Sequence, residues 1–385
     1  MDVLFNASSL NKGGGIQVAV SFLSECITNP KGFTWHYALS REVVDGAIDL
    51  GLKLNNFEIF DESPARSHKQ RKRLKKFEQA VAADVVFTLF GPAYVKFSAP
   101  HLLGVAVGWV THSTWLAYSF LPSWVSKLNT FLVSVYKGWW LRAADHWIVE
   151  AENARIGLNS RMHISIDHID VIPNACSSVF YNSASVPAKN IAEGQKDPVR
   201  LLYVASYYPH KNIEFVPQVA AALKNISSEF KFEFTLTLPQ QDFEKISILA
   251  HRLEVIDSIN NIGKVPLSKL PELYAHSDIC FMPSVLETFS ANYIEAMASE
   301  RPVIASDLDF SRAVCKDSAV YFDPRNPDSA AKKIIELLKD ENLRYECILK
   351  GNTRLKSLPT SSQRYELYVD AINKTLKEFD LAAKA

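Results

Sequence analysis

Residues 279–298 read ICFMPSVLETFSANYIEAMA, from Ile279 to Ala298. The apolar residues Ile279, Cys280, Phe281 and Met282, closed by Pro283, predict a short buried strand. Past the turn, a helix is expected to start near Ser290 and to carry Glu295 inside it. Strand, turn and helix in that order form the repeating unit of open α/β sheets. The same unit opens the chain, where Val3-Leu4-Phe5 leads through Gly13-Gly14-Gly15 into a helical pattern from Ile16. Apolar runs recur at 85–89, 102–107, 147–149, 169–172, 200–204, 232–238 and 302–305. Helical stretches separate them, which implies mostly parallel sheets.

With 385 residues the chain exceeds what one hydrophobic core organises. The expected fold class is α/β, with two Rossmann-like doubly wound domains facing each other across a cleft. The polar stretch from Ser183 to Pro198 reads as the connection between them. The expected boundaries are 1–185 for the first domain, 186–198 for the linker and 199–360 for the second domain. Residues 361–385 are expected to form a helix that packs back toward the first domain.

Lys+Arg and Asp+Glu number 42 each, so net charge offers nothing to a polyanion and no nucleic-acid partner is expected. The five cysteines (Cys26, Cys176, Cys280, Cys315, Cys347) form no CxxC pair and have no His at metal-ligand spacing. Neither a disulfide framework nor a metal site is expected from them. The first residues, MDVLFNASSL, lack the basic and apolar regions of a signal peptide, so a cytoplasmic location is expected. From Phe97 to Ser126 there is no Asp, Glu, Lys or Arg. Thr111, His112, Ser113, Thr114, Ser119 and Ser123 interrupt that stretch, and Pro122 breaks a helix. A buried strand followed by an interfacial segment fits better than a transmembrane span.

The chemistry concentrates after the 279–282 run. A helix N-terminus offers unpaired N–H groups and a partial positive charge, so the backbone of Ser290, Ala291 and Asn292 suits a diphosphate. Glu287, just before that helix, can hydrogen-bond sugar hydroxyls, and Glu295 lies where a ribose would follow. Two glutamates on a solvated helix face are the plainer reading of the same spacing.

The stretch resembles family 4 of the retaining glycosyltransferases, which have the GT-B fold. That family's pattern is P-S-x-x-E-x-F-G-x-x-x-x-E-A-M-A, followed by a P-V-I-A strand. Pro283, Ser284, Glu287, Phe289, Glu295, Ala296, Met297 and Ala298 match it, as do Pro302, Val303, Ile304 and Ala305. Ser290 departs from it, standing where glycine is usual. A second match runs from Leu202 to Asn212 and resembles V-G-R-x-x-x-x-K-G/N, whose Arg and Lys clamp the donor diphosphate. Lys211 holds the lysine position, Ser206 stands in place of the arginine, and His210 is a candidate to compensate. Outside the pattern, Lys211 would read as an exposed loop lysine.

Before residue 199 the resemblance is weaker. Gly14 and Gly15 are similar to a glycine loop that approaches the donor phosphates, although any tight strand-to-helix turn can use such a run. It is not a dinucleotide fingerprint, because Val18 stands where the last glycine would be. Val171-Ile172-Pro173-Asn174 matches the segment that closes the first domain. His112 is the candidate for a histidine that the family places after its fifth strand, a structural histidine being the other reading. The resemblance implies Lys211, Glu287 and His112 as catalytic residues. It implies Gly14, Gly15, Ser206, His210, Lys211, Ser290, Ala291, Asn292 and Glu295 as donor contacts.

Two features bear on the acceptor. Arg66, Lys69, Arg71, Lys72, Arg73, Lys75 and Lys76 cluster in an expected helix whose opposite stripe is Leu74, Phe77 and Val81. Such a face either stays solvated or docks on anionic lipid. Trp124, Leu128, Phe131, Leu132, Val135 and Trp139 recur at helical spacing, with Trp140 and Trp147 beside them. An in-plane amphipathic helix is one reading of that pattern, and core packing is the other.

The resemblance implies a retaining hexosyl- or deoxyhexosyltransferase that uses a nucleotide-sugar and needs neither a metal nor another cofactor. The implied acceptor is a glycan on a membrane lipid, such as a polyprenyl diphosphate, in surface polysaccharide or O-antigen synthesis. The expected location is peripheral, on the anionic inner face of the plasma membrane. Two other readings stay open: an inactive sugar- or lipid-binding relative, given Ser206, and a dinucleotide-dependent oxidoreductase.

Overall fold

Alternation of short apolar strands with amphipathic helices produces two parallel sheets. The structure, a computed structural model, describes residues 1–181, 197–226 and 230–384. It divides into two units. Unit 1 comprises Met1–Ser113, Val125–Asn174 and Pro359–Ala385; unit 2 comprises Thr114–Trp124 and Ala175–Leu358. Residues 186–196 of the expected linker, and the expected boundary at 185, lie outside the described residues. Thr114–Trp124 groups with unit 2, although the sequence reading put it in the first domain.

The strands of unit 1 are β1 (Asp2–Ala7), β2 (Thr34–Ser40), β3 (Phe57–Phe60), β4 (Val85–Thr88), β5 (His101–Val105), β6 (His146–Val149) and β7 (Ile169–Val171). They pair in parallel in the order β3-β2-β1-β4-β5-β6-β7. Unit 2 contains β8 (Val199–Tyr203), β9 (Phe232–Leu236), β10 (Ile259–Asn261), β11 (Ile279–Met282), β12 (Val303–Ser306) and β13 (Ala319–Phe322). Their order is β10-β9-β8-β11-β12-β13. In both sheets the winding reverses beside the first strand, between β1 and β4 and between β8 and β11. Ligands of such sheets bind beyond the carboxyl ends of the strands at that reversal.

In unit 1 the helix Ser361–Lys384 contributes Tyr365, Tyr368, Val369, Ala371 and Ile372 to the core built on Phe5, Phe22 and Phe87. Tyr365 lies 5.4 Å from Phe22 and Tyr368 5.2 Å from Phe87, centroid to centroid. Asn174, the last residue before the chain leaves unit 1, accepts a hydrogen bond from Arg364 at the start of that helix. The uncharged stretch 97–126 holds a strand, two short helices and the first residues of the helix Trp124–Leu141, not one long helix. Among the described residues no helix is long and apolar enough to cross a membrane.

Candidate active site

The candidate donor residues of unit 2 come from the two loops that flank the sheet reversal and from the helix that follows the second. After β8, a 3-10 turn at Pro209–Lys211 carries His210 and Lys211, and Asn212 takes a left-handed conformation with φ 53°. Asn212 is 5% exposed, and its amide donates to the carbonyls of Pro283 and Pro324, each at 3.3 Å. Its side chain therefore ties the β8 loop to those after β11 and β13. The N–H of Val285 donates to the His210 carbonyl at 2.7 Å, and the Asn292 amide donates to the Val204 carbonyl.

These ties bring Lys211 and Glu287 together as an ion pair, with side chains 16% and 12% exposed. Burial works against the Glu287 carboxylate, but the Lys211 ammonium first, then His210 and the Ser284 hydroxyl, outweigh it and hold its pKa below the ordinary range. Tyr203, at the end of β8, lies 2.8 Å from the Lys211 carbonyl, to which it donates, and 3.0 Å from the Ser284 hydroxyl. One buried phenol thus braces both loops.

His210 does not supply the charge that Ser206 lacks. Burial pushes its imidazole down to about 4, further than Glu287 raises it, so the ring is neutral at pH 7. It stacks on Tyr208 at 5.4 Å between centroids. Ser206 is exposed. The fixed positive charge facing Glu287 is that of Lys211.

Ser290 is the N-cap of the helix Ala291–Ala298, and its hydroxyl makes no capping bond. Its φ of 63° and ψ of 106° suit glycine, which explains why glycine is usual there and what its replacement strains. Ala291 and Asn292 are half-buried in the first turn.

Neither glutamate lies on a solvated face. Glu295 is 3% exposed and accepts the Tyr274 hydroxyl at 3.0 Å. Burial raises its carboxyl from 4.5 to about 7, against the smaller effect of Tyr274. Between those values the folded chain holds a proton that the unfolded chain has lost. Stability from this group is therefore complete below pH 4.5 and disappears as pH rises to about 7. Glu295→Gln should melt progressively higher relative to wild type from pH 5 to 8, by on the order of 1–3 kcal/mol at the top. A melting difference that does not change with pH would show that Glu295 is ionised throughout.

The remaining candidates lie in unit 1. Gly13, with φ 73°, is the glycine that the first turn requires. A Cβ on Gly14 would meet nothing within 4 Å, and one on Gly15 would meet Leu10 and Phe90 at 3.4 Å. His112 follows the short helix Gly108–Thr111, with its Nδ1 2.7 Å from the Thr111 hydroxyl. Among the described residues no group of three or more His, Cys, Asp and Glu is placed to hold a metal ion.

The basic cluster is less free than its sequence suggests. Arg66 precedes the helix His68–Ala80 rather than lying on it. Arg71 donates to the carbonyls of Pro64 and Ala65 and to the Tyr136 hydroxyl, and lies over the rings of Tyr94 and Trp140. Arg73 pairs with Glu58, and Lys75 with the buried Glu78. Arg66, Lys69, Lys72 and Lys76 are exposed. Leu74 is buried, as the stripe predicted.

The helix Trp124–Leu141 is inverted in polarity. Trp124, Val125, Leu128, Phe131, Leu132, Val135 and Trp139 are exposed, whereas Ser134 and Gly138 are buried. Small residues on the inner face permit close approach: a Cβ on Gly138 would lie 3.2 Å from the Met162 sulfur. Trp140 is half-buried against Tyr94 and Arg71, and Trp147 is core, so these two aromatics do not join the outward face.

Tyr203, Tyr274 and the role of Asn212 escape the sequence reading. The two tyrosines sit in apolar surroundings, where nothing distinguishes them from core aromatics. Asn212 had one signal, a residue tolerant of φ above zero in a position shared with glycine.

The family model described as glycosyl transferases group 1 matches residues 188–354. The O-antigen chain mannosyltransferase RfbU of Salmonella typhimurium is 30% identical over 172 residues, which are 44% of this chain and 46% of that protein. The chain spans about half the length of the curated relatives it matches first. A glycosyltransferase structure from Rickettsia africae superposes with a TM-score of 0.71 at 15% identity, covering 98% of both chains. Anabaena Alr3699/HepE in complex with UDP gives 0.71 at 12% identity, covering 97% of this chain and 100% of that one. The likeness to the glycosyl transferases group 1 family thus extends over residues 188–354, and the two Rossmann-like units carry the GT-B fold.

Proposed function

We propose that the chain transfers a hexose or deoxyhexose from a nucleotide-sugar to a lipid-linked glycan, with retention of configuration and without a metal. The observation that carries this reading is the Lys211–Glu287 pair, held at the sheet reversal between β8 and β11. A diphosphate there would meet the Lys211 ammonium and the N–H groups from Ser290 to Asn292, which stabilise charge on a leaving phosphate. Glu287 would accept sugar hydroxyls, and Glu295 would turn toward the ribose. The donor phosphate itself would take the acceptor proton. The likeness to an O-antigen mannosyltransferase supports surface polysaccharide as the product.

The acceptor would be presented at the inner face of the plasma membrane. The inverted helix 124–141 would lie in the interface, and Arg66, Lys69, Lys72 and Lys76 would face anionic headgroups. One observation favours a second reading, binding without turnover: Ser206 and the neutral His210 leave the clamp with a single fixed cation.

A thermal-shift screen over nucleoside diphosphates and nucleotide-sugars tests the donor assignment. The matching ligand at one hundred times its dissociation constant should stabilise the protein by about 2.7 kcal/mol. No stabilisation by any nucleotide or nucleotide-sugar would reject the reading. Binding without release of the nucleoside diphosphate, on adding acceptor or on long incubation, would favour the inactive relative.

A further inference from the structure

We propose that binding of the donor's ribose at Glu295 expels the proton of its carboxyl group, so that donor affinity rises with pH. This rests on reading the 283–295 segment as the donor site, with the ribose at Glu295. Glu295 lies in the second turn of the helix Ala291–Ala298 and is 3% exposed. Among the described residues its hydrogen-bond partner is the Tyr274 hydroxyl, which donates to Oε2 at 3.0 Å. The titratable groups that face it are Tyr274 on the helix Leu270–Ala275, Cys176 ahead of the helix Ser178–Tyr181, and Cys280 in β11. Burial holds all three above their ordinary values, so they are uncharged at pH 7. The Arg301 guanidinium donates to the carbonyls of Tyr274, Ala275 and Glu300. What acts on the Glu295 carboxyl is burial and one hydroxyl.

A buried carboxyl with a single neutral donor keeps its proton, because one hydroxyl does not repay taking a carboxylate out of water. A ribose changes the count of donors. Its two vicinal hydroxyls, added to Tyr274, offer the group three O–H bonds, and donors in that number favour the charged form. The O–H bond of the carboxyl breaks, its electron pair stays on the carboxylate, and the proton passes to solvent. The donor's diphosphate opposes this through its own charge. That charge would lie against the Lys211 ammonium and the N–H groups of the first helical turn, which offset it. Loss of the nucleoside diphosphate after transfer returns the proton to Glu295.

Titration calorimetry with UDP-glucose, GDP-mannose and ADP-glucose, in buffers of different ionisation enthalpy, counts the protons. The diphosphate of each probe is a diester that does not titrate near neutrality, and neither does His210, held down at about 4. The free Glu295 carboxyl lies at about 7. The probe that binds should therefore release nearly one proton at pH 6 and almost none at pH 8.5. Its affinity should rise about 10-fold from pH 6 to pH 8. Glu295→Gln should release no proton and keep one affinity throughout. Tyr274→Phe, which keeps the carboxyl and removes its donor, should move the rise to higher pH. If Glu295→Gln does not fold, wild type and Tyr274→Phe carry the test. Binding without proton release at pH 6, or a pH dependence that survives in Glu295→Gln, overturns the coupling and leaves the donor site standing. Failure of wild type to bind any of the three probes overturns both.

Discussion

Lys211→Ala should lower turnover on the order of 10²-fold or more, because under the proposed function its ammonium would stabilise the leaving diphosphate. The structure adds a complication. Removing one partner of a buried pair typically costs roughly 3–5 kcal/mol of stability, since the other charge is left unpaired. Lys211→Ala is therefore expected to melt earlier as well as to turn over slowly. The two effects separate in the double variant Lys211→Ala with Glu287→Gln, which should recover most of the stability and none of the turnover. Turnover assayed well below both melting points decides the matter. Wild-type rates in folded Lys211→Ala would take the residue out of the mechanism.

Replacing Phe131, Leu132 and Val135 with Ser should reduce partitioning onto lipid vesicles on the order of 10²–10³-fold. Each of these side chains is more than half exposed, and burying one contributes on the order of 1.5 kcal/mol. The loss should be similar at 0.1 M and 1 M salt, because apolar transfer is not screened. Replacing Arg66, Lys69, Lys72 and Lys76 should instead remove the salt-sensitive part, about 1 kcal/mol per residue near an anionic surface. Arg71, Arg73 and Lys75 are unsuitable for that test, since they hold the domain together through Tyr136, Glu58 and Glu78. Co-sedimentation with phosphatidylglycerol vesicles reads both effects. Partitioning that ignores the three apolar substitutions would assign this face to a protein partner.

Much of the fold is visible in the apolar runs. Strands β1, β4, β5 and β11 coincide with stretches such as Val85–Thr88, because strands buried on both faces need continuous apolar sequence. Strands β2, β3 and β10 are not visible in this way. In β2, TWHYALS mixes Thr34 and His36 into its run; β3 is only FEIF; β10 is INN, with two asparagines. They are recognisable as strands only through their neighbours in the sheet, toward its edge. The site shows the same division. Lys211 and Glu287 stand out by residue type and spacing, whereas their brace is tertiary: Tyr203 and Ser284 are 81 positions apart. The burial of Glu295 against Tyr274 runs against the ordinary tendency of glutamate, so periodicity alone misplaces it on the surface.

The close seating of the 124–141 helix on Gly138 and Ser134 has a kinetic consequence. A helix that could swivel would leave its domain dangling from the lipid at any angle. One pressed against Met162 would pass its orientation directly to unit 1, so seating the helix in a bilayer, as proposed above, would set the tilt of that unit. Under the proposed function, search for a lipid-linked acceptor would become lateral diffusion of two oriented bodies in one plane. Most of the rotational sampling that precedes a productive encounter in free solution would then be completed once, at the moment of docking.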